Sequence, residues 1–344
     1  MTDLLRVSVE EHRALSTHVL TGLGVPEAAA RDQAELLLEG DLRGHASHGI
    51  RRLDMLAQRL RSGAVHAAAR PTSTWTTASV LVVDGDGGLG PPVARRAVEE
   101  LVAKVAETGV AVAAVRNANH LGMLAPYVES MASAGVLGIA LTTSEALVHP
   151  WGGTRAMVGT NPLAVAVPVP GEDPVVLDMA TGQVSRGKVL DHAARGLPLA
   201  PGDAVDSAGV PTTDAAAAVN GAISPFGGPK GYALGLILEV LVATLTRTAL
   251  GEEVRGTLDP TDPSTKGDVF IAMDPTAFGS GAAPVAAYLT ALRATPPAPG
   301  HDGVLVPGDR ARATRAANLA DGVPVSQVTW TRAQQIAADV PERH

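Results

Sequence analysis

The chain has 344 residues and not one cysteine. That excludes disulfides, thiolate metal ligation and cysteine nucleophiles together, and it suits a reducing cytoplasm. Basic residues are in deficit as well. There are 27 Lys and Arg against 35 Asp and Glu, a formal net charge of −8, and no basic block. Nucleic acid is therefore a poor partner for this surface. No H-E-x-x-H is present, and His45 and His48, although i and i+3, have no convincing further ligands, so no metal site is expected. The opening "MTDLLRVSVEEHRAL" has no basic segment followed by an apolar one, so no secretion signal is expected. No apolar run reaches the roughly 20 residues of a membrane span. The most apolar helical stretch, Gly231–Thr246, carries Glu239 and reads as a core helix, so no membrane association is expected. Internal repeats are absent too.

What is present is a chain 46% hydrophobic and 18% charged, with enough apolar material for a large core and enough length for two or three lobes. Residues 8–62 show helical periodicity. Pro26 suits a first helical position and Gly63 a stop. Strand "SVLVVDG", helix "PVARRAVEELVAKVAETG" and strand "VAVAAVRN" follow in a β-α-β rhythm. Further strands read at "VLGIALTTS", "LAVAVPV", "PVVLDMA" and "DVFIAMD". Residues 182–229 read as loop-rich, and the tail as helical. The class is α/β.

Gly85, Gly87 and Gly90 spell G-x-G-x-x-G between a strand and a helix. A dinucleotide cradle needs free N–H groups at the helix start and an acid about 20 residues on. Pro91 and Pro92 supply no donors, and the next strand ends at Arg116 without an acid. The spacing therefore reads better as a structural turn.

"GDLRGHASHGIRRL" (40–53) carries more chemistry. With Ser47 as a helix cap, His48 falls in the first turn and Arg52 one turn on, on the same face. An imidazole can donate a proton near neutral pH, and a guanidinium can grip a carboxylate with two parallel hydrogen bonds. Reduction of a 2-oxo acid requires that pair. The helix N-terminus and Arg52 both disfavour a protonated His48, so a bound carboxylate is expected to restore its acidity. Four other clusters combine glycine with polar side chains: His120 and Gly122; Thr160 and Asn161; Asp178 with Thr181, Arg186 and Lys188; and Lys230 among glycines before a helix.

Together these stretches are recognisable. "DLRGHASHGIRRL", "NANHLGMLAPY", "PWGGTRAMVGTNPLAVAVP", "LDMATGQVSRGK", "GVPTTD", "FGGPKGYALGL" and "VPGD" stand in family order over roughly residues 35–310. The chain resembles the malate/L-lactate dehydrogenase family, which includes ureidoglycolate and sulfolactate dehydrogenases and cyclic imine reductases. The resemblance implies an oxidoreductase using NAD or NADP. It implies a non-Rossmann, sulfolactate-dehydrogenase-like fold with a mixed, largely antiparallel sheet. The cofactor-binding α/β domain would span 76–275, and a helical domain for substrate and dimerisation would come from 1–75 and 276–344. The family is usually homodimeric. By the same resemblance His48 is the proton donor, oriented by Ser47, and Arg52 binds the substrate carboxylate. His120 is either a catalytic base or a cofactor contact. Ser144, Thr160, Asp178, Met179, Ala180, Arg186, Gly187 and Lys230 fall at cofactor positions. Lys188 stands where imine-reducing relatives can carry an acid, which weighs against that chemistry.

The leading expectation is hydride transfer between nicotinamide and a small 2-hydroxy or 2-oxo acid. A cyclic imine carboxylate is the near alternative substrate. Two others are a pyridoxal-phosphate enzyme with a Schiff base at Lys230 and a non-catalytic carboxylate-binding module.

Overall fold

The computed structural model describes residues 4–279 and 284–341. The expected domain boundaries therefore include short stretches, 1–3, 280–283 and 342–344, that lie outside the described residues. The N-terminal part runs β1 (Leu4–Val7), α1 (Val9–Gly22), α2 (Glu27–Leu42), a 3-10 turn (Ile50–Arg52) and α3 (Leu53–Ser62). Next come β2 (Thr72–Trp75), β3 (Val80–Gly88), α4 (Gly90–Thr108), β4 (Val110–Ala118), α5 (Ala125–Ser133) and β5 (Leu137–Thr142). The middle continues with β6 (Ala146–Val148), β7 (Val158–Gly159), β8 (Leu163–Val167), β9 (Val175–Met179), α6 (Arg186–Arg195) and β10 (Ala204–Val205). Then follow β11 (Pro211–Thr212), α7 (Ala215–Val219), β12 (Ala222–Ile223), α8 (Pro229–Thr246) and β13 (Asp268–Met273). The tail is α9 (Val285–Arg293), α10 (Asp309–Asp321), β14 (Val323–Ser326) and α11 (Gln327–Ala338).

A seven-stranded sheet in the order β2-β3-β4-β13-β5-β8-β9 forms the centre. Only β3 and β4 run parallel, as the β-α-β rhythm requires; every other pairing in that sheet is antiparallel. Its strands read as nearly unbroken apolar runs because both faces are covered. Ala111, Ala113, Val115, Phe270 and Ala272 face α4 and α5. Val112, Val269 and Ile271 point the other way, toward α8. Alanine dominates the first face, so the helices can lie close to the sheet.

A second core joins the two ends of the chain. Val19, Leu20, Leu37, Leu38, Leu42, Ile50 and Leu53 pack with Val323, Val325, Trp330 and Ile336, and β1 pairs antiparallel with β14. A capping box at Ser8 and Glu11 starts α1, and Gly63, at φ +81°, stops α3. A third, smaller core backs the five-stranded sheet β11-β10-β12-β6-β7.

Three local expectations change. Pro26 caps α2 instead of opening it. The loop-rich segment 182–229 contains α6, whose N-cap Ser185 accepts from the Lys188 N–H, and α7. The glycine motif is not a simple turn: Gly85 and Gly87 lie inside β3, where the pairing with β4 shifts register, and only Gly90 opens the helix.

The apolar helix also differs from a core helix. α8 is long and apolar enough to cross a membrane by length and composition, yet one of its faces packs on the sheet. Glu239 on that face is buried. It accepts from the Gly159 N–H (2.9 Å), the Asn161 side-chain amide (2.6 Å) and the Gly251 N–H (2.6 Å). The other face leaves Leu236, Ile237, Val240, Leu241 and Leu245 exposed.

Glu239→Gln replaces one acceptor with a donor facing these N–H groups. A loss of about 1–3 kcal/mol of unfolding free energy is expected in urea at neutral pH; an unchanged midpoint would show that the buried carboxylate does not brace α8.

Candidate functional site

His48 is not in the first turn of a helix. Residues 43–49 form turns folded back on the end of α2, with the His45 N–H donating to the Gly40 carbonyl (2.8 Å) and the His48 N–H to His45 (2.8 Å). The 3-10 turn begins only at Ile50, capped by Gly49, and Arg52 is its last residue. Ser47 is thus no helix cap. Its hydroxyl instead lies 3.1 Å from His48 Nδ1, which orients the ring and leaves Nε2 free.

The His48 ring stacks on His120, with centroids 5.6 Å apart and planes 23° apart. The Gly122 N–H donates to His120 Nδ1 (3.1 Å), so the ring proton of neutral His120 resides on Nε2. Gly90 brings this about from beneath. A Cβ there would lie 2.4 Å from the carbonyl oxygens of Asn119 and His120, so only glycine lets α4 start against the strand end.

Arg52 donates to the Thr257 carbonyl (2.8 Å) and faces no carboxylate within ion-pair distance among the described residues. Arg59, buried one helical face further on, donates to the Asp259 carbonyl and to the Asn119 side-chain oxygen (2.9 Å). Ser62 donates to the Pro260 carbonyl (2.7 Å), and Glu145 accepts the N–H groups of Thr257 (2.7 Å) and Leu258 (2.8 Å). One loop is thereby tied to the helix that carries the arginines.

His48, Arg52 and His120 are each partly open to solvent yet closely surrounded by protein, as the walls of a cleft are. Burial, then the Arg52 charge, then His45 lower the His48 pKa to about 4. Burial, followed by Arg52 and His48, holds His120 well below the usual imidazole value. The helix N-terminus anticipated for His48 is not the cause; desolvation and the guanidinium are. Both rings are neutral near pH 7.

The residues expected to hold a cofactor form a connected band. The Thr160 N–H donates to the Ser144 hydroxyl (2.8 Å), and the Thr160 carbonyl accepts from the Thr181 N–H (2.7 Å). Met179 and Asp178 pair across to Leu163 and Ala164, next to Ala180. The Phe226 N–H donates to the Thr181 carbonyl (3.1 Å), linking this band to the start of α8. Lys230 is there, exposed in the first turn of α8, not ahead of it. Asp178 is committed in part: one oxygen accepts from the Leu124 (3.0 Å) and Ala125 (2.8 Å) N–H groups at the start of α5. Burial raises its pKa despite these donors. Gly187 faces Ser47, where a Cβ would sit 3.4 Å from the serine Cβ, so the start of α6 meets the His48 turn. Arg186 donates to the Val219 carbonyl (2.9 Å) and Lys188 reaches Asp203 (3.2 Å).

This band fits a nicotinamide dinucleotide. It supplies hydroxyls at 144 and 160, a carboxylate oxygen of Asp178 free of those N–H bonds, and an exposed cation at 230. It runs from the stacked imidazoles to a helix N-terminus. Sequence reasoning missed Arg59, Asn119, Glu145 and Asp41. Asn119 and Asp41 lie inside the quoted motifs, and Gly40 beside Asp41 and His120 beside Asn119 were the available signals.

The malate/L-lactate dehydrogenase family model matches residues 7–334. A dehydrogenase structure from Sinorhizobium meliloti superposes with a TM-score of 0.93 at 48% identity, covering 98% of this chain and 99% of that one. The malate/(S)-sulfolactate dehydrogenase of Methanothermus fervidus is 34% identical over 337 residues, 97% of this chain and 98% of the relative. The Δ1-pyrroline-2-carboxylate reductase of Pseudomonas fluorescens is 34% identical over 328 residues, 94% and 96% respectively.

A carboxylate seated on Arg52 offsets the guanidinium's share of the His48 lowering, the second cause after burial. The His48 pKa should then rise from about 4 toward the ordinary 6.5, so binding takes up protons between those values. Oxamate affinity should increase as pH falls through this window. Calorimetric enthalpies that are identical in two buffers of different ionisation enthalpy at pH 5.5 would contradict it.

Proposed function

The chain belongs to the malate/L-lactate dehydrogenase family, and from that premise we propose that it is an NAD(P)-dependent oxidoreductase of a small 2-hydroxy or 2-oxo acid. The observation that carries this reading is the stacked pair of neutral imidazoles beside a guanidinium that has no carboxylate partner among the described residues. Bound NAD(P) supplies or accepts the hydride. The chain's own residues do the rest. Arg52 grips the substrate carboxylate through the donors that Thr257 does not occupy. His48, oriented by Ser47, gives its proton to the carbonyl oxygen once the carboxylate has raised its pKa. His120 presents Nε2–H to the same cleft as a neutral donor. Ser144, Thr160, Asp178, Met179, Ala180, Arg186, Gly187 and Lys230 hold the dinucleotide, and Lys230 binds its phosphate charge from the first turn of α8.

A second reading has its own support in the Δ1-pyrroline-2-carboxylate reductase relative: reduction of a cyclic imine carboxylate. The same clamp serves, and the proton goes to nitrogen. The relatives named above are dehydrogenases and a reductase, which favours nicotinamide chemistry over a pyridoxal-phosphate Schiff base at Lys230.

We further propose that the chain is a homodimer formed through α8, which lies in the span expected to bind cofactor (76–275) and not in the terminal segments expected to carry dimerisation. Its outward residues Leu236, Ile237, Val240, Leu241 and Leu245 recur at helical spacing, and Ile237 is 59% exposed. Such a stripe on one helix is a self-association surface of the kind that a C2 dimer buries.

Purified protein given NAD(P)H with a panel of 2-oxo acids, and separately with cyclic imino acids, should consume the cofactor with one class; loss with neither would end the oxidoreductase reading. Arg52→Lys should raise KM for the acid by about 10-fold or more, because a point charge cannot replace the planar fork. Lys230→Ala should weaken NAD(P)H binding more than acid binding, and the opposite order would remove Lys230 from the cofactor. Ile237→Glu should shift the protein from dimer to monomer in sedimentation; a wild type that is already monomeric would refute the α8 interface.

A further inference from the structure

His12 lies on α1, distant in sequence from every motif discussed, and is wholly buried. Its Nε2 is 2.9 Å from Asp41 Oδ2, and Asp41 at the end of α2 is itself 3% exposed. The same oxygen accepts the Ile50 N–H at 2.7 Å. The carboxyl group also fills the space beside Gly49, where a Cβ would lie 1.9 Å from Oδ1. Gly40, one residue before Asp41, lies equally close to His48: a Cβ there would be 2.7 Å from the His48 carbonyl carbon and oxygen. Gly49 and Ile50 open the three-residue link, completed by Arg51, between His48 and Arg52. One buried carboxylate therefore fixes the link between the proton donor and the carboxylate clamp. His12 fixes that carboxylate in turn.

We propose that His12 and Asp41 are positioning residues for this site. They set the backbone at Gly49–Ile50 and thereby the spacing of His48 from His120 and Arg52. The assignment rests on the roles proposed for His48 and Arg52, but its geometry does not. Asp41 accepts from His12, so the imidazole carries its proton on Nε2; Nδ1 has no hydrogen-bond partner among the described residues. Among the described residues the ring's one hydrogen bond is to Asp41, and a site whose reacting side chains must stay within a fraction of an ångström needs such support behind it. Neither residue touches the reacting atoms.

The test uses the full-length protein in four forms: wild type, Asp41→Asn, His12→Leu and His12→Gln. Asparagine keeps an acceptor for the Ile50 N–H but presents an amide donor to His12, whereas glutamine can still donate to Asp41. Ring signals of His48 and His120 are followed in ¹³C-histidine spectra of the free protein, assigned with single histidine variants. They are expected to move in Asp41→Asn and His12→Leu and to return in His12→Gln. With an acid that the wild type reduces, kcat should fall by roughly 100-fold in the first two variants, the scale of a 1 Å misplacement. The solvent isotope effect on kcat should rise, and NAD(P)H affinity should stay within about twofold, the signature of lost transition-state positioning. Unmoved ring signals in a folded Asp41→Asn protein overturn the proposal, as does an activity loss matched by an equal loss of cofactor affinity. If His12→Leu does not fold, Asp41→Asn and His12→Gln decide the matter. A wild type that reduces no acid or imine refutes the proposed function and leaves the spectra to judge the positioning.

Discussion

Arg52 brings a guanidinium into the cleft with one carbonyl oxygen as its acceptor and no carboxylate in contact. Burial lowers His48 and His120 most, and the Arg52 charge lowers both further, so the free protein holds two neutral rings beside the guanidinium. The arrangement costs stability in acid. The unfolded chain protonates His48 near pH 6.5, whereas the folded chain does so only near 4, so the fold weakens as pH falls through that interval. An anion at Arg52 offsets the guanidinium's share of that lowering. Under the function proposed above, substrate binding and proton availability are coupled by ordinary electrostatics, without any moving part.

Close approach of backbones brings the participating segments together. The turn bearing His48 lies on the end of α2 because Gly40 and Gly49 have no side chains, and the His120 strand end lies on α4 because Gly90 has none. Gly187 lets α6 approach Ser47 in the same way. Side chains then lock what the glycines permit: Asp41 at Ile50, Asn119 between Arg59 and the Gly87 and Gly88 carbonyls, and Glu145 on Thr257 and Leu258.

The sequence exposed the sheet well. Apolar runs such as "VAVAAVRN" and "DVFIAMD" are β4 and β13, and the β-α-β rhythm is the β3-α4-β4 unit, whose parallel pairing and place in the strand order came only with the structure. It disclosed the site's residue types but misjudged the local backbone. Ser47 and His48 precede the helix because Asp41, several residues upstream, supplies the acceptor at Ile50 that a cap at 47 would have supplied. α6 was hidden because its periodicity is short and flanked by glycine and proline. The exposed stripe of α8 could not be told from a core face, since composition does not say which side a neighbour covers. Nothing in the local pattern marks Arg59 as buried, because its acceptors, the Asp259 carbonyl and the Asn119 side chain, come from far along the chain.

The loop over the arginines is gripped through main-chain oxygens: Thr257 by Arg52, Asp259 by Arg59 and Pro260 by Ser62. Every amino acid carries such an oxygen. A change of side chain at these positions leaves all three acceptors in place, so this grip depends on Arg52, Arg59 and Ser62 more than on the residues they hold.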